Sequence, residues 1–368
     1  MAGSLPMMTQ DITPDNVDRM LLRVLEETFT AEPWRREEPM VVINDVTGAL
    51  SAWTLDQDLP VRFIQDSASL AAAHARITGS VAAVPTPEVL AGAATVVTRL
   101  ARPLEALEEL SWQVARWAAP EVIFLAGQLQ RHLSFSFNPI LERVFDEVTA
   151  SRGYHKARAL RAQRPKALTG LTPPRFPRKN TVTVAGQTFH LRAHGLTFGA
   201  ARLDPGTQLL LETIQTQPPE QFTAQATVVD LGSGNGTVIA GLARSFAVGR
   251  YIATDDSASA VLSTLATLAA NGIDGVGVMH QSGMVDLPDA SADIVVLNPP
   301  FHAGTQLTSD IAFFLFDEAA RTLKPGGVLL TVFNASRHYR RQLQHRVGPT
   351  LQLARDKRFI VTQSQKVH

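Results

Sequence analysis

A glycine-rich segment in the second half of the chain constrains the fold more than any other feature of the sequence. A β-branched run that ends in an acid, residues 227–230, leads into three glycines at alternating positions, Gly232, Gly234 and Gly236. Glycine adopts positive φ angles without strain and allows a ligand to lie against the backbone. Residues 238–246 are then predicted to form a helix. The segment therefore predicts a strand, a ligand-binding turn and a helix in succession.

The spacing of these glycines separates the loop from two common nucleotide-binding loops. A dinucleotide fold uses G-x-G-x-x-G and a phosphate loop uses G-x-x-x-x-G-K-[ST], whereas this loop is G-x-G-x-G with an acid two residues before it. A carboxylate at that place repels a pyrophosphate and suits a cation. S-adenosylmethionine carries a sulfonium and an ammonium group, so the pattern predicts a site for this cofactor. The predicted contacts in the loop are Asp230, Gly232, Gly234, Asn235 and Gly236.

A second acid follows at the end of the next predicted strand. Residues 251–255 end in Asp255, about twenty residues after the glycines, and a carboxylate there can accept hydrogen bonds from both hydroxyls of a ribose. Asp256 is included in the predicted cofactor site, although Asp256-Ser257 is also typical of a helix N-cap. Asp255 is therefore predicted as the ribose ligand.

A proline-rich turn after the fourth predicted strand is the candidate for the chemistry. The apolar run of residues 293–297 is followed by Asn298, Pro299, Pro300 and Phe301. The prolines rigidify the turn and lack N–H groups, which leaves the Pro299 carbonyl and the Asn298 side chain as acceptors. Two acceptors orient the lone pair of an amino group toward a methyl donor, and Phe301 can stack on a flat base. These four residues could simply end a strand, but beside a cofactor loop they predict methylation of a planar amine nitrogen.

The first half of the chain alternates predicted strands and helices, which is typical of a parallel α/β sheet. Residues 61–69 match residues 251–259 in form, and both contain Asp-Ser-Ala-Ser. N-capping preferences alone would explain four matching residues, but the matching order of strands indicates a duplicated fold. The predicted strands are residues 40–44, 61–64, 94–98 and 121–126, and the predicted helices are residues 17–29, 68–77 and 103–117.

The first copy lacks the features of a cofactor site. Its loop, residues 44–50, has one glycine, and Gln65 takes the place of the ribose acid. This half is therefore predicted to be an RNA-binding scaffold that binds no cofactor. The predicted fold class is α/β, with two tandem Rossmann-like class I methyltransferase domains, the N-terminal copy degenerate and the C-terminal copy active. The predicted domains are residues 1–162, a basic proline-rich linker at 163–180, and residues 181–368, which begin with a β-hairpin.

Composition excludes several classes of site. The chain has no cysteine, which excludes disulfides, thiolate metal sites and cysteine nucleophiles, and the spacing of its histidines predicts no metal. With 45% hydrophobic and 18% charged residues, both halves can bury a core. The sequence shows neither a secretion signal nor a membrane-spanning run, so a cytoplasmic location is expected.

The formal net charge is zero, yet the basic residues are concentrated in one stretch. No acidic residue lies between Glu147 and Asp204, where arginine is frequent. A phosphate backbone responds to local charge within a Debye length of ~8–10 Å, so RNA is one candidate partner. A linker that uses arginine for solvation explains the stretch equally well. The predicted RNA contacts are Arg158, Arg161 and Arg164.

The sequence resembles the bacterial ribosomal RNA guanine-N2 methyltransferases over nearly the whole chain, and it is more similar to the large-subunit enzymes than to the small-subunit ones. The segments that carry the resemblance are residues 44–51, 195–198, 203–210, 298–302, 333–338 and 357–361. The resemblance implies transfer of a methyl group from S-adenosylmethionine to the exocyclic N2 of a guanine, with ribosomal RNA or a ribosomal subunit as partner. Pro205 and Ala200 depart from the family's segment before the glycine loop, so target-site specificity carries over poorly.

The resemblance also implies further site residues. Asp204 and Thr207 lie in the segment that covers the cofactor in that family, and Ser282 is a candidate contact to the adenine edge. His302 is predicted to contact the RNA, where it positions the base or has a structural role. A general base is not required, because an amine held by two acceptors can lose its proton to water after transfer.

Two alternatives remain open at the level of sequence. A protein glutamine N-methyltransferase also uses Asn-Pro-Pro, but commonly with tyrosine next, whereas this chain has Phe301. A non-catalytic RNA-binding or ribosome-assembly protein could retain the fold without the activity. The intact glycines and Asn298 argue against that alternative, because the first copy shows what loss of a site looks like.

Overall fold

The computed structural model describes residues 12–300 and 306–367. The chain divides between Phe176 and Pro177 into two compact units, which we call the N-terminal unit and the C-terminal unit. The predicted linker overlaps regular structure at both of its ends, because residues 163–165 complete one strand and residues 178–180 begin the next.

The N-terminal unit contains a six-stranded sheet with the order β2-β1-β3-β4-β6-β5. The first four of these strands pair in parallel, and β6 is antiparallel to both of its neighbours. Its elements are α1 (Asn16–Ala31), β1 (Met40–Ile43), α2 (Ala49–Asp56), β2 (Val61–Ile64), α3 (Ala68–Thr78), α4 (Pro87–Leu90), β3 (Thr95–Arg99), α5 (Leu104–Trp117), β4 (Ile123–Leu129), α6 (Phe137–Glu142), β5 (Phe145–Ala150) and β6 (Ala157–Pro165).

The C-terminal unit begins with a β-hairpin and continues into a seven-stranded sheet with the order β11-β10-β9-β12-β13-β15-β14. Within this sheet β15 is antiparallel to both of its neighbours. The elements are β7 (Arg178–Val184), β8 (Gln187–Ala193), α7 (Pro205–Thr216), β9 (Thr227–Leu231), α8 (Thr237–Ser245), β10 (Arg250–Asp255), α9 (Ala258–Ala270), β11 (Val276–His280), β12 (Ala292–Leu297), α10 (Gln306–Thr322), β13 (Leu323–Asn334), α11 (Tyr339–Arg346), β14 (Thr350–Arg355) and β15 (Phe359–Gln365).

The two sheets share one topology. When the edge strand β11 is set aside, the remaining strands of the C-terminal sheet follow the same relative order as those of the N-terminal sheet. A single parallel bridge between Ile64 and Ala82 stands in the N-terminal unit where β11 pairs with β10 in the C-terminal unit. The predicted duplication of a Rossmann-like fold is therefore confirmed, and the first copy has in addition lost an edge strand.

Strand register defines which residues of the two units are equivalent. Met40 pairs with Val61 in the first copy, and Val228 pairs with Tyr251 in the second. Counted from these pairs, Gly48 corresponds to Gly236, and both are left-handed N-caps of the following helix. Counted back from the next N-caps, Ser67 and Ser257, Gln65 takes the place of Asp255, as the sequence predicts.

The central strands of both sheets are buried on two faces, which explains why they are largely apolar runs; they are β1, β3, β4, β9 and β12. In β12, Ile294 and Val296 pack with residues of α7 and α8, whereas Val295 and Leu297 pack with residues of α10 and α11. All four side chains are fully buried. Because β12 is packed from both sides, its carboxyl end has a fixed position, and the predicted catalytic loop begins there.

Candidate active site

A cleft lies at the carboxyl ends of β9 and β12, where the strand order of the sheet reverses. Ligands of open α/β sheets bind in a crevice at this switch point. The cleft encloses about 450 Å³ up to its open mouth. It brings together six residues predicted from the sequence, and Arg202, which the sequence does not assign to the site, also lines it. The lining residues are Phe198, Gly199, Arg202, Asp204, Thr207, Gly232, Ser233, Gly234, Asn235, Thr237, Val238 and Asn298.

The three loop glycines have different roles. All have positive φ angles, +79° at Gly232, +55° at Gly234 and +76° at Gly236. A Cβ atom at Gly232 or Gly234 would meet nothing within 4 Å, whereas one at Gly236 would lie 3.0 Å from the Cα of Thr264. The first two glycines therefore keep backbone open toward the cleft, and the third allows α8 to pack closely on α9.

Asp230 is 1% exposed at the end of β9. Its Oδ2 accepts a hydrogen bond of 3.0 Å from the Ile239 amide in the first turn of α8. Burial, together with the nearby carboxylate of Asp255, raises the pKa of Asp230 to about 8. A buried acid of this kind responds to an approaching cation, because a positive charge favours its ionised form.

Asp255 braces the loop from the next strand. Its Oδ2 accepts from the Gly234 amide at 2.9 Å, and its Oδ1 accepts from the Ser257 amide at 2.9 Å. The N-cap of α9 is Ser257, whose hydroxyl accepts from the Ala260 amide. Asp255 ends β10, and Asp256 and Ser282 lie after β10 and β11; none of the three is part of the cleft lining formed by the described residues. Their contacts to ribose and adenine therefore stay predictions.

Asn235 fastens two segments of the site to each other. Its Nδ2 donates to the carbonyls of Ala200, at 2.9 Å, and Arg202, at 3.0 Å. Its Oδ1 accepts from the amide and the hydroxyl of Thr237. The side-chain amide is thus already used within the protein, so Asn235 shapes the cleft by holding residues 200–202 against the glycine loop.

Asn298 follows β12, and its side chain is held in one orientation. Its Nδ2 donates to Asp204 Oδ2 at 3.1 Å and to Thr207 Oγ1 at 3.0 Å. Asp204 is the N-cap of α7 and also accepts from the Thr207 amide at 2.9 Å. Because an ionised carboxylate only accepts, the NH₂ group must face α7, and Oδ1 must face the other way. The sequence indicated all three residues but not that they contact one another.

The Oδ1 atom of Asn298 is buried and has no hydrogen-bond partner among the described residues. An acceptor left in this state costs roughly 1–3 kcal/mol, so it is typical of a functional site rather than of a core. Pro299 is buried and Pro300 exposed at the end of the described part of the loop. Phe301 and His302 lie outside the described residues.

The equivalent place in the N-terminal unit, where β3 ends beside the first turn of α1, has different chemistry. Thr98 pairs with Ile43 as Leu297 pairs with Leu231, so Arg99 occupies the position of Asn298. Arg99 pairs with Asp15 at 2.6 Å and with Asp18 at 2.5 Å. These acids are the N-cap and the third residue of α1, the positions that Asp204 and Thr207 hold in α7. An ion cluster thus fills the place at which the second copy keeps the unpartnered Oδ1 of Asn298.

The arginines predicted to contact RNA belong to β6 of the N-terminal unit and not to a linker. Arg161 donates to Thr28 Oγ1 at 3.1 Å and pairs with Glu32 at 3.5 Å. Arg164 forms an ion pair with Glu147. Arg158 is exposed near the start of the strand. The charges of Arg161 and Arg164 are therefore compensated within the unit.

The described residues contain no group of three or more His, Asp or Glu side chains that could hold a metal ion. Among the same residues, no helix is both long enough and apolar enough to cross a membrane.

Two family models match the chain. Residues 13–166 match the RLMG N-terminal domain, and residues 188–363 match the methyltransferase small domain. The chain thus combines an RLMG N-terminal domain with a methyltransferase small domain. The predicted enzyme class is thereby confirmed, and the cleft described above lies within the methyltransferase small domain.

Curated relatives match nearly the whole length of this two-domain methyltransferase. Ribosomal RNA large subunit methyltransferase G of Shewanella amazonensis is 27% identical over 96% of this chain and 92% of its own length. The protein of the same name from Pseudomonas putida is 29% identical over 96% and 93%. Among solved structures, a T. thermophilus 16S rRNA N2 methyltransferase in complex with AdoMet and guanosine has a TM-score of 0.76 at 20% identity and covers 89% of this chain and 88% of its own. That likeness confirms the predicted fold.

Alanine substitutions at Gly236 and Gly232 should separate packing from ligand binding. Both carry positive φ strain, but only Gly236→Ala also clashes with the Thr264 backbone, so it should destabilise the protein more, by about 1–3 kcal/mol. Gly232→Ala should instead weaken binding of S-adenosylmethionine, because its Cβ lies at the open cleft. Urea unfolding and calorimetric titration measure the two effects. Equal loss of stability, or unchanged binding in Gly232→Ala, would contradict these roles.

Asp230 should make the stability of the ligand-free protein depend on pH. Its folded pKa of about 8 lies above the ordinary value of an aspartate, 3.8, so its contribution is full below about pH 4 and is lost as pH rises through 8. Between pH 5 and pH 8 the free energy of unfolding should therefore fall more steeply than in Asp230→Asn, which keeps an acceptor for Ile239. Urea titrations at several pH values measure this. Parallel pH dependences in the two proteins would show that Asp230 is ionised throughout.

Replacing Arg99 should destabilise the N-terminal unit strongly. Arg99→Ala leaves Asp18, whose side chain is 0% exposed, as an uncompensated buried charge, which costs roughly 3–5 kcal/mol. Arg143→Ala is the matched control, because its pair with Glu108 is half exposed and is worth about 0–1 kcal/mol. Equal effects of the two substitutions on urea unfolding would mean that the ion cluster is not a structural replacement for the lost site.

Proposed function

We propose that this protein transfers the methyl group of S-adenosylmethionine to the exocyclic N2 of a guanine in ribosomal RNA. The observation that carries the proposal is the buried, unpartnered Oδ1 of Asn298 beside the cleft at the glycine loop. The described residues supply no N–H donor to this acceptor, so a ligand can supply one. The amino group of a guanine is such a donor.

The residues of the cleft fit S-adenosylmethionine, which supplies an electrophilic methyl group on a sulfonium. Gly232 and Gly234 leave room for a ligand directly against the backbone. Asp230 is the buried acid of the loop, and its ionised form would be favoured by the positive charges of the cofactor. Asp255 is the candidate acceptor for the ribose hydroxyls.

Asn298 acts on the amino group of the substrate. Its Oδ1 and the Pro299 carbonyl accept one hydrogen bond each, which orients the nitrogen lone pair away from both acceptors and toward the methyl donor. Asp204 supports this by accepting from the amide NH₂, which makes Oδ1 a stronger acceptor through cooperative polarisation. The methylated nitrogen then loses a proton to water, so no side chain is required as a base.

Ribosomal RNA is favoured over the alternatives by the relatives. Those that match over nine tenths of the chain carry the name ribosomal RNA large subunit methyltransferase G, and none of the relatives compared above is named as a protein glutamine methyltransferase. A non-catalytic role is disfavoured because the C-terminal unit keeps Asn298 free where the N-terminal unit has the Arg99 ion cluster. We also propose a cytoplasmic location, where a bacterial ribosomal subunit is available, and an RNA-binding scaffold role for the N-terminal unit.

The substitution Asn298→Ala tests the proposal. We expect binding of S-adenosylmethionine to persist and methyl transfer into ribosomal RNA to fall by about 10²–10³, as for other preorganised hydrogen-bonding groups in active sites. Thr207→Val should lower kcat less, because Asp204 still holds the amide. Transfer of radiolabelled methyl groups, followed by nucleoside analysis for N2-methylguanosine, measures both effects.

Asn180→Ala is the control, because Asn180 is an exposed asparagine on β7 that should not affect transfer. Full activity of Asn298→Ala, or transfer of the radiolabelled methyl group to a nucleoside other than guanosine, would contradict the proposal.

A further inference from the structure

The loop between β11 and β12, residues 281–291, is attached to α10 by two charged side chains. Glu318 is 7% exposed, and its Oε2 accepts from the Met284 amide at 3.0 Å. Arg321, one turn further along α10, donates to the Met284 carbonyl at 2.7 Å and to the Leu287 carbonyl at 2.8 Å. Glu318 and Arg321 therefore hold the loop through its backbone at two points.

The two side chains also fix each other. Arg321 Nε donates to Glu318 Oε1 at 3.0 Å, and Arg321 Nη2 donates to Glu318 Oε2 at 3.0 Å. Arg321 also pairs with Asp289 at 2.7 Å. The hydrogen bonds that Arg321 donates to Glu318 raise the pKa of its guanidinium above the ordinary value, so the charge is permanent. Because a bidentate pair of arginine and carboxylate has a defined geometry, the two side chains form a rigid support for the loop.

The loop lies so close to α10 that its path depends on this helix. Gly283 has a φ angle of +59°, and a Cβ atom there would lie 3.0 Å from both Glu318 Cγ and Phe314 Cε1. Met284 is fully buried in the core that contains residues of α10, whereas Val285 next to it is 56% exposed. The contacts with α10 thus determine which groups of the loop face away from the core.

The same loop begins beside the predicted ribose ligand. The Gln281 amide donates to the Asp255 carbonyl at 3.0 Å, so the first residue of the loop contacts the last residue of β10. Within the described part of the chain, the amide and the hydroxyl of Ser282 form no hydrogen bond. A nucleoside whose ribose lies on the Asp255 carboxylate can therefore place its base against Ser282 and Val285. These residues offer hydrogen-bonding groups and an apolar surface, the combination that ligand sites use.

The N-terminal unit lacks this arrangement. Counted back from the equivalent paired residues of β4 and β13, Gln113 and Arg116 of α5 take the places of Glu318 and Arg321. Arg116 is exposed and forms no ion pair with the described residues. This unit also has only a single bridge in place of β11. The pair therefore occurs in the copy that has the cofactor glycines and is absent from the copy that has lost them.

We propose that Glu318 and Arg321 are positioning residues that hold the loop after β11 in the conformation that binds the adenine of S-adenosylmethionine. The proposal rests on the proposed function for the identity of the cofactor. Neither side chain touches the base, since both act through the backbone of Met284 and Leu287. A loop that is ordered before binding loses less conformational entropy when the ligand binds, so the pair increases both the affinity for the cofactor and the selectivity for its base.

The test compares two ligands that differ only in the base. They are S-adenosylhomocysteine and S-inosylhomocysteine, in which an oxygen replaces the 6-amino group of adenine. Calorimetric titration of the full chain gives Kd for both, and the unaltered protein should prefer the adenine ligand at least about tenfold. Arg321→Gln should weaken binding of S-adenosylhomocysteine by about tenfold and that of S-inosylhomocysteine much less, so the preference should largely disappear.

Methyl transfer gives a second readout that a merely structural role would not produce. Arg321→Gln should raise KM for S-adenosylmethionine by about tenfold and leave kcat at saturating cofactor within about twofold of the unaltered value. The reason is that Asn298 and its partners in α7 are unchanged. A fall in kcat equal to the fall in kcat/KM would contradict a role confined to binding the cofactor.

Arg346→Gln is the matched control. Arg346 lies on α11, forms an ion pair with Asp317 and lies over the ring of Phe313, both on α10. Its loss removes an ion pair from the same helix without removing a bond to the loop. We expect a lower melting temperature in a thermal melt and an unchanged preference between the two ligands.

Glu318→Gln decides the question if Arg321→Gln does not fold. It keeps an oxygen that can accept from the Met284 amide but removes the negative charge that holds Arg321, so the preference for adenine should fall by about threefold. Arg321→Lys should recover part of the preference, because a lysine still donates to the loop carbonyls without the bidentate pair. Equal weakening for both ligands, an unchanged preference in both variants, or an unaltered protein that does not distinguish the ligands would overturn the proposal.

The outcome is distinguishable from that of the proposed function. If the Arg321 and Glu318 variants keep the full preference for adenine while Asn298→Ala still abolishes methyl transfer, the positioning role is wrong and the enzyme assignment stands. If the variants lose the preference but the unaltered protein transfers no methyl group to ribosomal RNA, the positioning role stands and the assigned substrate is wrong.

Discussion

The two hydrogen bonds from the Asn298 amide to the first turn of α7 are the constraint on which the site depends. They join the carboxyl end of β12, a strand buried on both faces, to Asp204 and Thr207, which lie far from it in sequence. Because the NH₂ group of Asn298 is hydrogen-bonded to α7, Asn298 Oδ1 must face away from that helix. The orientation of the Asn298 amide is therefore set by core packing and helix capping before any ligand binds, and its cost is one buried acceptor without a partner among the described residues.

The same three positions produce two outcomes in one chain. In the C-terminal unit the N-cap Asp204, the hydroxyl of Thr207 and the amide of Asn298 leave Asn298 Oδ1 available as an acceptor. In the N-terminal unit two acids and Arg99 satisfy one another completely. The equivalent helix is also capped differently, because Asp45 in the loop accepts from the Ser51 amide, whereas Asp230 at the strand end accepts from the Ile239 amide. Loss of the site thus went together with a new set of internal partners for the same backbone positions.

The sequence was sufficient for features that depend on local chemistry. The glycine loop, the end of β10 at Asp255 and the replacement at Gln65 were predicted because glycine, strand and cap patterns repeat within a few residues. Features that depend on pairing between segments distant in sequence were not predicted. The composition around Arg164 predicted a linker, since nothing local shows that β6 pairs between β4 and β5. The role of Asn235 was missed for the same reason, because its partners are carbonyls more than thirty residues away.

The ion cluster around Arg99 has an evolutionary consequence. A single change of Arg99 to asparagine would give the residue type found at Asn298 but leave Asp18 buried without its cation. Asp18 would have to change at the same time, and the Thr47 hydroxyl, which donates to it at 2.8 Å, would lose its acceptor. Reversal therefore requires several coordinated substitutions, each unfavourable alone. Once the first copy had acquired this ion cluster, single substitutions could no longer return the copy to catalysis. Selection could still change the surface of the copy for binding.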